Sequence, residues 1–253
     1  MSAEGIEGME AGASARLLEV GGLRAVVSDV GEEFDEAQLN ARIRDLDWLS
    51  PRAVRHHDVV DQVYARCKLL LPLTFGAIFH SKDSLRQRLA AQQRELLAAL
   101  ERLRGREQWD LKLSRDEATF ASRLGEHSPE LRQAEDQLAA KPPGTRFLLE
   151  KKIQTLQARE AQRIAAAVRK DVHANLSGQA VEAHRDQLAS PPQAQPVRLE
   201  MKSAYLIEEA TADGIKLAVG TLSEKYAPLG YELDLSGPWP AFSFAGGVRE
   251  ALA

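Results

Sequence analysis

The stretch Gln108-Trp109-Asp110-Leu111-Lys112-Leu113-Ser114 decides the fold class. Trp109, Leu111 and Leu113 fall on one side of an extended chain and Asp110 and Lys112 on the other, the period-two pattern of a half-buried β-strand. Just upstream, Leu85, Leu89, Leu96, Leu100 and Leu103 share one side of a helical pattern that Ser81 opens and Gly105 stops. The domain seam is placed at Gly105. Downstream, a polar stretch through Ser128-Pro129 and the break Lys141-Pro142-Pro143-Gly144 lead into the longest helical pattern, which starts near Thr145 and carries Leu149, Ile153, Leu156, Ile164, Val168, Val172 and Leu176. Glu160 interrupts that stripe, and Gly178 stands where a kink is expected. A long helix with a narrow apolar seam pairs with another helix, and Glu130 to Ala140 is the candidate. Three prolines make Ser190 to Pro196 a loop. Val197 to Ile207 and Tyr231 to Leu235 then read as strands, with an amphipathic helix over Ala212 to Tyr226 between them. The order strand, helix, strand, helix, strand predicts an α+β fold. Residues 105–253 are expected to form a modified ferredoxin-like split β-α-β sandwich with a long coiled-coil-like helix and an aromatic C-terminal segment.

The N-terminal half predicts a second α+β domain over 16–104. Gly21-Gly22 joins Leu17–Val20 to Leu23–Val30 as a hairpin. Asp35 is the expected N-cap of a short helix ending near Asp47, with Gln38 as capping-box partner. Ser50-Pro51 opens the next helix, whose Ala53, His57, Val60, Tyr64 and Cys67 are expected along one buried stripe. The apolar run Leu69 to Phe79 predicts a central strand with Pro72 at its beginning or edge. Residues 1–15, rich in Gly and Glu without hydrophobic period, predict a disordered leader.

A chain of 253 residues suits two domains. No apolar run approaches the roughly 18 residues of a membrane span, so a lipid membrane is not an expected partner. The net charge of -4, with both signs interleaved, argues against nucleic acid. Cys67 is alone and cannot form an internal disulfide, and Glu4, Glu7 and Glu10 stand where a signal peptide would be positive, so the expected location is the cytoplasm.

Phosphate loops, dinucleotide fingerprints, nucleophile elbows and zinc helices are absent from the sequence, and no cofactor, metal or catalytic residue is expected. His56-His57-Asp58 is the most suggestive triplet, although adjacent helical residues point about 100° apart and cannot easily share one metal. His57 and Asp61, four apart, can meet. Cys67 lies on the apolar stripe and reads as packing. In Gly237-Pro238-Trp239-Pro240-Ala241-Phe242-Ser243-Phe244, prolines interrupt sheet pairing while Trp239, Phe242 and Phe244 cluster near the C-terminus. Those three aromatics are either a partner-docking element or a lid over the second domain's core. The general burial of large aromatics favours the lid.

The blocks Leu49-Ser50-Pro51-Arg52-Ala53-Val54-Arg55-His56-His57-Asp58-Val59-Val60 and Leu71-Pro72-Leu73-Thr74-Phe75-Gly76 resemble the N-terminal half of GvpF/GvpL gas vesicle proteins. Arg104-Gly105, Gln108 to Leu113, Pro143 to Leu149, Ala204 to Ile207 and Leu235 to Phe244 continue the resemblance in order, over roughly residues 16 to 245. The leader departs from the apolar, tyrosine-containing first strand of that family. The resemblance implies a non-enzymatic assembly protein, associated with gas vesicles, whose partners are the hydrophobic shell protein and other accessory proteins. The rival readings are a small-molecule enzyme or binding protein using an interdomain cleft near His56, His57 and Asp61, and a coiled-coil adaptor built on the long helix.

Overall fold

The computed structural model describes residues 4–10, 12–140, 142–188 and 195–246. Helix and sheet are mixed throughout. Two compact units form: one from the residues up to Gln108 together with those from Pro238 on, the other from Trp109–Gly237.

In the first unit, β1 (Arg16–Val20) and β2 (Leu23–Val27) pair antiparallel, and Gly21 and Gly22 both take positive φ at the turn. Leu18 and Leu23 face Leu85 and Leu89 of α3 (Lys82–Ala91) and Leu96 of α4 (Gln93–Leu103). The leucine pattern read as one helix is therefore two, broken at Gln92, and both halves reach the hairpin; the Gln93 amide also donates to the Gly21 carbonyl. Ser81 caps α3 in a reciprocal box with Ser84. Between α1 (Glu36–Arg42) and α3 lies α2 (Leu46–Arg66), which starts earlier than Ser50 because Asp45 accepts from the amides of Asp47 and Trp48. Asp35 makes no side-chain cap on α1.

Two further expectations fail in this unit. Leu69 to Phe79 forms no strand: Pro72 has no donor for a ladder, Gly76 turns at φ 95, and the apolar side chains divide between clusters, Leu71, Leu73 and Phe79 against the hairpin and Leu70 against Val63. The leader is ordered where it is described. Ile6, 1% exposed, packs with Ala15 and Val63, while Gly8 donates to Ala13 O at 2.7 Å and Ala15 to Ile6 O at 2.9 Å. One isoleucine in a polar stretch gives no period, yet it suffices to anchor the segment.

The second unit is built on a four-stranded sheet. Its strands are β3 (Arg106–Asp116), β4 (Glu182–Arg185), β5 (Val197–Glu208) and β6 (Tyr231–Trp239), in the order β4-β5-β3-β6. β4 went unread in the sequence because all four of its residues are exposed and none alternates; it pairs antiparallel with Ser203–Leu206 at the sheet edge. Trp109, Leu111 and Leu113 are buried as their alternation predicts. They join Met201, Tyr205 and Ile207 of β5, Ile164, Val168, Val172 and Leu176 of α7 (Pro143–Ser177), and Ile215, Val219 and Leu222 of α8 (Ala212–Tyr226). Gly178 closes α7 and does not kink it.

Two polar clusters fix this unit. Glu160, the break in the α7 stripe, is buried; it accepts from Ser128 Oγ at 2.9 Å and from Arg163 at 2.8 Å. Ser128 also caps α6 (Pro129–Ala139) through the Leu131 amide, so one carboxylate ties the start of α6 to the middle of α7. The hydrogen bonds from Arg163 and Ser128 hold Glu160 below the usual carboxylate range. Between strands, Arg115 lies 3.3 Å from Glu200 Oε1, donates to Glu117 Oε1 at 2.6 Å, and stacks 3.9 Å above the Phe120 ring of α5 (Glu117–Arg123). Arg169 and Arg198 also pair with Glu200.

Gly230 precedes β6 with φ 81, and a Cβ there would meet Thr119 Cβ at 2.9 Å and the Asp116 carbonyl at 3.1 Å. The Gly230 carbonyl also accepts from the Asp116 amide at 2.8 Å, so the backbone cannot withdraw. Gly230→Ala is expected to cost about 1 to 3 kcal/mol, the scale of a strained left-handed residue with a contact to relieve. Urea unfolding checks this; an unchanged midpoint would show that the turn relaxes freely.

Candidate interaction surface

α2 carries the block Leu49–Val60, and its arginines hold the first unit together. Arg52 donates to both oxygens of Glu33, at 2.8 and 3.0 Å, and Arg42 and the Trp48 indole reach the same carboxylate at 3.2 and 3.4 Å. The Arg52 guanidinium lies 4.5 Å from the Trp48 ring centroid. Trp48 meets Phe34 at 5.5 Å and Phe75 at 6.4 Å. The Arg52 hydrogen bonds hold Glu33 below its ordinary value against the opposing pull of burial, and the Trp48 hydrogen bond and the charges of Arg52 and Arg42 lower it further. Arg55 donates to the Gly8 carbonyl at 2.9 Å and to Glu7 at 2.7 Å, which binds the leader to the helix.

The structure separates the histidines. His56 turns inward, edge-on to Phe75 at 6.1 Å, and burial with the neighbouring His57 keeps it below the usual imidazole value. His57 is exposed, and its ring lies 4.8 Å from Phe242. On α2 Tyr64 is buried as expected and Val63 is buried beside it, whereas His57 is exposed and His56 takes the inner position expected for it. Asp61 is exposed, and no hydrogen bond or ion pair joins it to His57. Among the described residues no three His, Cys, Asp or Glu side chains are placed to hold a metal. Cys67 is half-buried and its thiol donates to the Leu69 carbonyl. In the second unit Tyr205 is pushed up to about 12 by burial, and its hydroxyl lies 3.1 Å from His173 Nδ1, whose ring is held low by desolvation. Both are neutral at pH 7 and form a structural pair.

Of the C-terminal aromatics, Trp239 ends β6, and Phe242 and Phe244 lie in the segment that groups with the first unit. β6 runs through Gly237 and Pro238 to Trp239, where the expected turn was placed; extended backbone tolerates Pro at a strand end. Trp239 is 41% exposed, Phe242 rests half-buried on His57, and Phe244 is 1% exposed. The Ser243 amide donates to Gln108 Oε1 at 2.9 Å, Gln108 Nε2 donates to Ser243 Oγ at 3.2 Å, and Arg102 donates to the Phe244 carbonyl. Nothing in the local sequence signals these partners, because they lie some 135 residues away.

Apolar surface remains uncovered elsewhere. Leu46, Ser50 and Val54 follow at four-residue intervals along one side of α2, and Leu46 is 70% and Val54 60% exposed. In the second unit a groove of about 360 Å³ runs between α6 and α7; Ala134, Leu149, Ile153 and Leu156 line it, and the Glu130–Arg159 pair stands at its rim. No helix among the described residues is long and apolar enough to cross a membrane.

This fold, mixing helix and sheet, is similar to that of known gas vesicle proteins. The family model for the gas vesicle synthesis protein GvpL/GvpF matches residues 1–246. Gas vesicle protein L of Streptomyces sp. (strain CB03234) is 31% identical over 252 residues, covering 98% of this chain and 88% of that protein. Gas vesicle protein L2 of Halobacterium salinarum is 28% identical, covering 92% of this chain and 81% of its own length. The crystal structure of GvpF from Anabaena sp. PCC7120 superposes with a TM-score of 0.68 at 18% identity over 94% of this chain and 90% of that one, and GvpF from Microcystis aeruginosa with 0.61 at 16% over 94% and 91%. The chain belongs to the GvpL/GvpF family of gas vesicle synthesis proteins.

Glu33 supplies a pH test of the α2 cluster. Its folded value is depressed, so its contribution is present above the ordinary value of 4.5 and is lost as pH falls below it. Glu33→Gln should melt below the parent chain at pH 7, and the gap should close on acidification towards pH 3. A gap independent of pH would mean that packing, not charge, is what the substitution removes.

Proposed function

We propose that this chain is a non-catalytic assembly protein of the gas vesicle, working in the cytoplasm, which binds the hydrophobic shell protein and other accessory proteins during vesicle formation. The observation that carries the reading is the bare apolar face of α2, Leu46 and Val54, in a family whose members are named gas vesicle proteins. A shell subunit with a strongly apolar face aggregates before assembly unless a soluble partner covers it, and a rigid helix bearing exposed aliphatic side chains can do so. Of the C-terminal aromatics, Trp239 has the exposure to join such a contact; Phe242 and Phe244 face their own unit. The histidines lend no support to a catalytic reading, since His56 is packed on Phe75 and His57 on Phe242. In the second unit the order β4-β5-β3-β6 with helices between the strands supports a ferredoxin-like split β-α-β sandwich, with α7 extending beyond the usual crossover helix.

Co-purification with the shell protein tests the proposal. Leu46→Asp with Val54→Asp should leave unfolding within about 0.5 kcal/mol of the parent, because both side chains are exposed. Capture of the shell protein should fall at least about tenfold, a loss of about 1.4 kcal/mol. Trp239→Ala should cost well under the roughly 3 to 5 kcal/mol of a buried aromatic and weaken capture further. Capture unchanged in the double variant would remove α2 from the interface.

A further inference from the structure

The apolar stripe of α7 is closed along only part of its length. From Glu160 on, Ile164, Val168, Val172 and Leu176 are buried in the core that the sheet and α8 share. Ahead of Glu160 the stripe continues through Leu149, Ile153 and Leu156, yet Ile153 alone among the described residues there is buried. α6 flanks this part antiparallel: Ser128 at its start meets Glu160, and further along Gln157 donates to Glu135 at 3.2 Å. Two helices side by side cover one flank of each other and leave a furrow between them. Here the furrow is the groove of about 360 Å³, whose α6 wall is kept low by Ala134. We propose that this groove takes a third helix, an amphipathic helix of a partner protein that is apolar on one face and acidic along the edge of that face.

Shape selects a helix. From Leu149 to Arg159 the α7 wall is about 15 Å long at 1.5 Å per residue, or about three turns. Its apolar groups recur at intervals of four and three, the spacing that receives the i, i+3, i+4 and i+7 anchors of a docked helix. A third helix there would cover the half-buried Leu149 and Leu156 as neighbouring helices do in a bundle. The lining does not suit a small polar ligand, because Glu130 and Arg159 satisfy each other at 3.1 Å and Thr155 donates to the Lys151 carbonyl. Charge selects the sign of the partner. Lys152 is exposed on the α7 wall and pairs with no carboxylate among the described residues, and beyond Glu130 and Ala134 the α6 wall offers only the neutral Gln137. A carboxylate on the incoming helix therefore meets an unspent cation, where a lysine would meet repulsion. The groove lies in the second unit, so this inference is independent of the α2 contact.

Peptide binding to the full chain tests it. The probe is a labelled synthetic peptide of about 20 residues, alanine-rich so that it is helical alone, with leucines at intervals of three and four and glutamates beside them. A control peptide carries lysines in place of the glutamates. At low salt the acidic peptide should bind saturably and at least about threefold more tightly than the basic one, the scale set by exposed ion pairs. Lys152→Glu should abolish or reverse that preference. Ala134→Phe, which fills the groove from the α6 side, should weaken both peptides at least about tenfold. Circular dichroism checks that both variants are folded; if Ala134→Phe is not, Lys152→Glu at its exposed position carries the test alone. Equal binding of the two peptides, a preference that Lys152→Glu leaves unchanged, or no binding up to about millimolar peptide overturns the proposal. So does a dimer of the unmodified chain that Lys152→Glu or Ala134→Phe dissolves, because the groove would then belong to a second copy.

Discussion

Arg115 and Glu200, side by side on neighbouring strands, set the constraint to which the second unit conforms. Each lies under a tenth exposed, and a lone buried charge would cost several kcal/mol. Arg115 is satisfied only when β3 and β5 stand in one register and α5 starts where Glu117 can reach. Glu200 in turn takes Arg169 from α7 and Arg198 from its own strand. A slip of one residue would turn β5 over and carry Glu200 away from Arg115, leaving the arginine buried without its partner. The apolar residues drive the collapse; these ions discriminate among the ways of collapsing. Glu160 does the same for the helices: Arg163 of its own helix supplies the charge partner, and the hydrogen bond from Ser128 forms only when the start of α6 reaches the middle of α7.

The first unit solves a different problem. It has few fully buried side chains and a hairpin of only two strands, which could not stand alone in water. Side chains on α2 compensate by reaching across sequence: Arg52 to Glu33, Arg55 to the leader, His57 to Phe242. The helix is therefore gripped by Arg52 and Arg55 on one flank, while Leu46 and Val54 on the other are left bare. Apolar exposure is tolerable there because the helix does not depend on that flank for its own stability.

What the sequence made legible follows from the range of the interactions. Helix α8 was readable to the residue and β3 by its alternation, because periodicity is local and both elements bury one face. The block Leu49–Val60 was recognisable, but one position of its stripe was misjudged: His56 and His57 are both plausible inward residues beside Ala53 and Val60, and only the contacts with Phe75 and Phe242 decide between them. Leu69 to Phe79 is apolar for a reason that hydropathy cannot distinguish from strand formation, since a loop that lines two clusters needs the same residues as a buried strand. The aromatic segment was seen as unusual and its destination was missed, because Gln108 and Arg102 lie before the whole second unit in the chain.

That last case bears on how the family's surface is used. An exposed aromatic-rich segment invites aggregation. Folding Phe244 into the first unit removes the hazard while leaving Trp239 at the strand end partly in solvent. The hydrogen bonds of Gln108 to Ser243 are directed, so they fix where the segment lies without adding apolar surface. Sequestration of Phe244 and display of Leu46 and Val54 thus occur side by side: Phe242 rests on His57, three residues from Val54 and on the same side of α2.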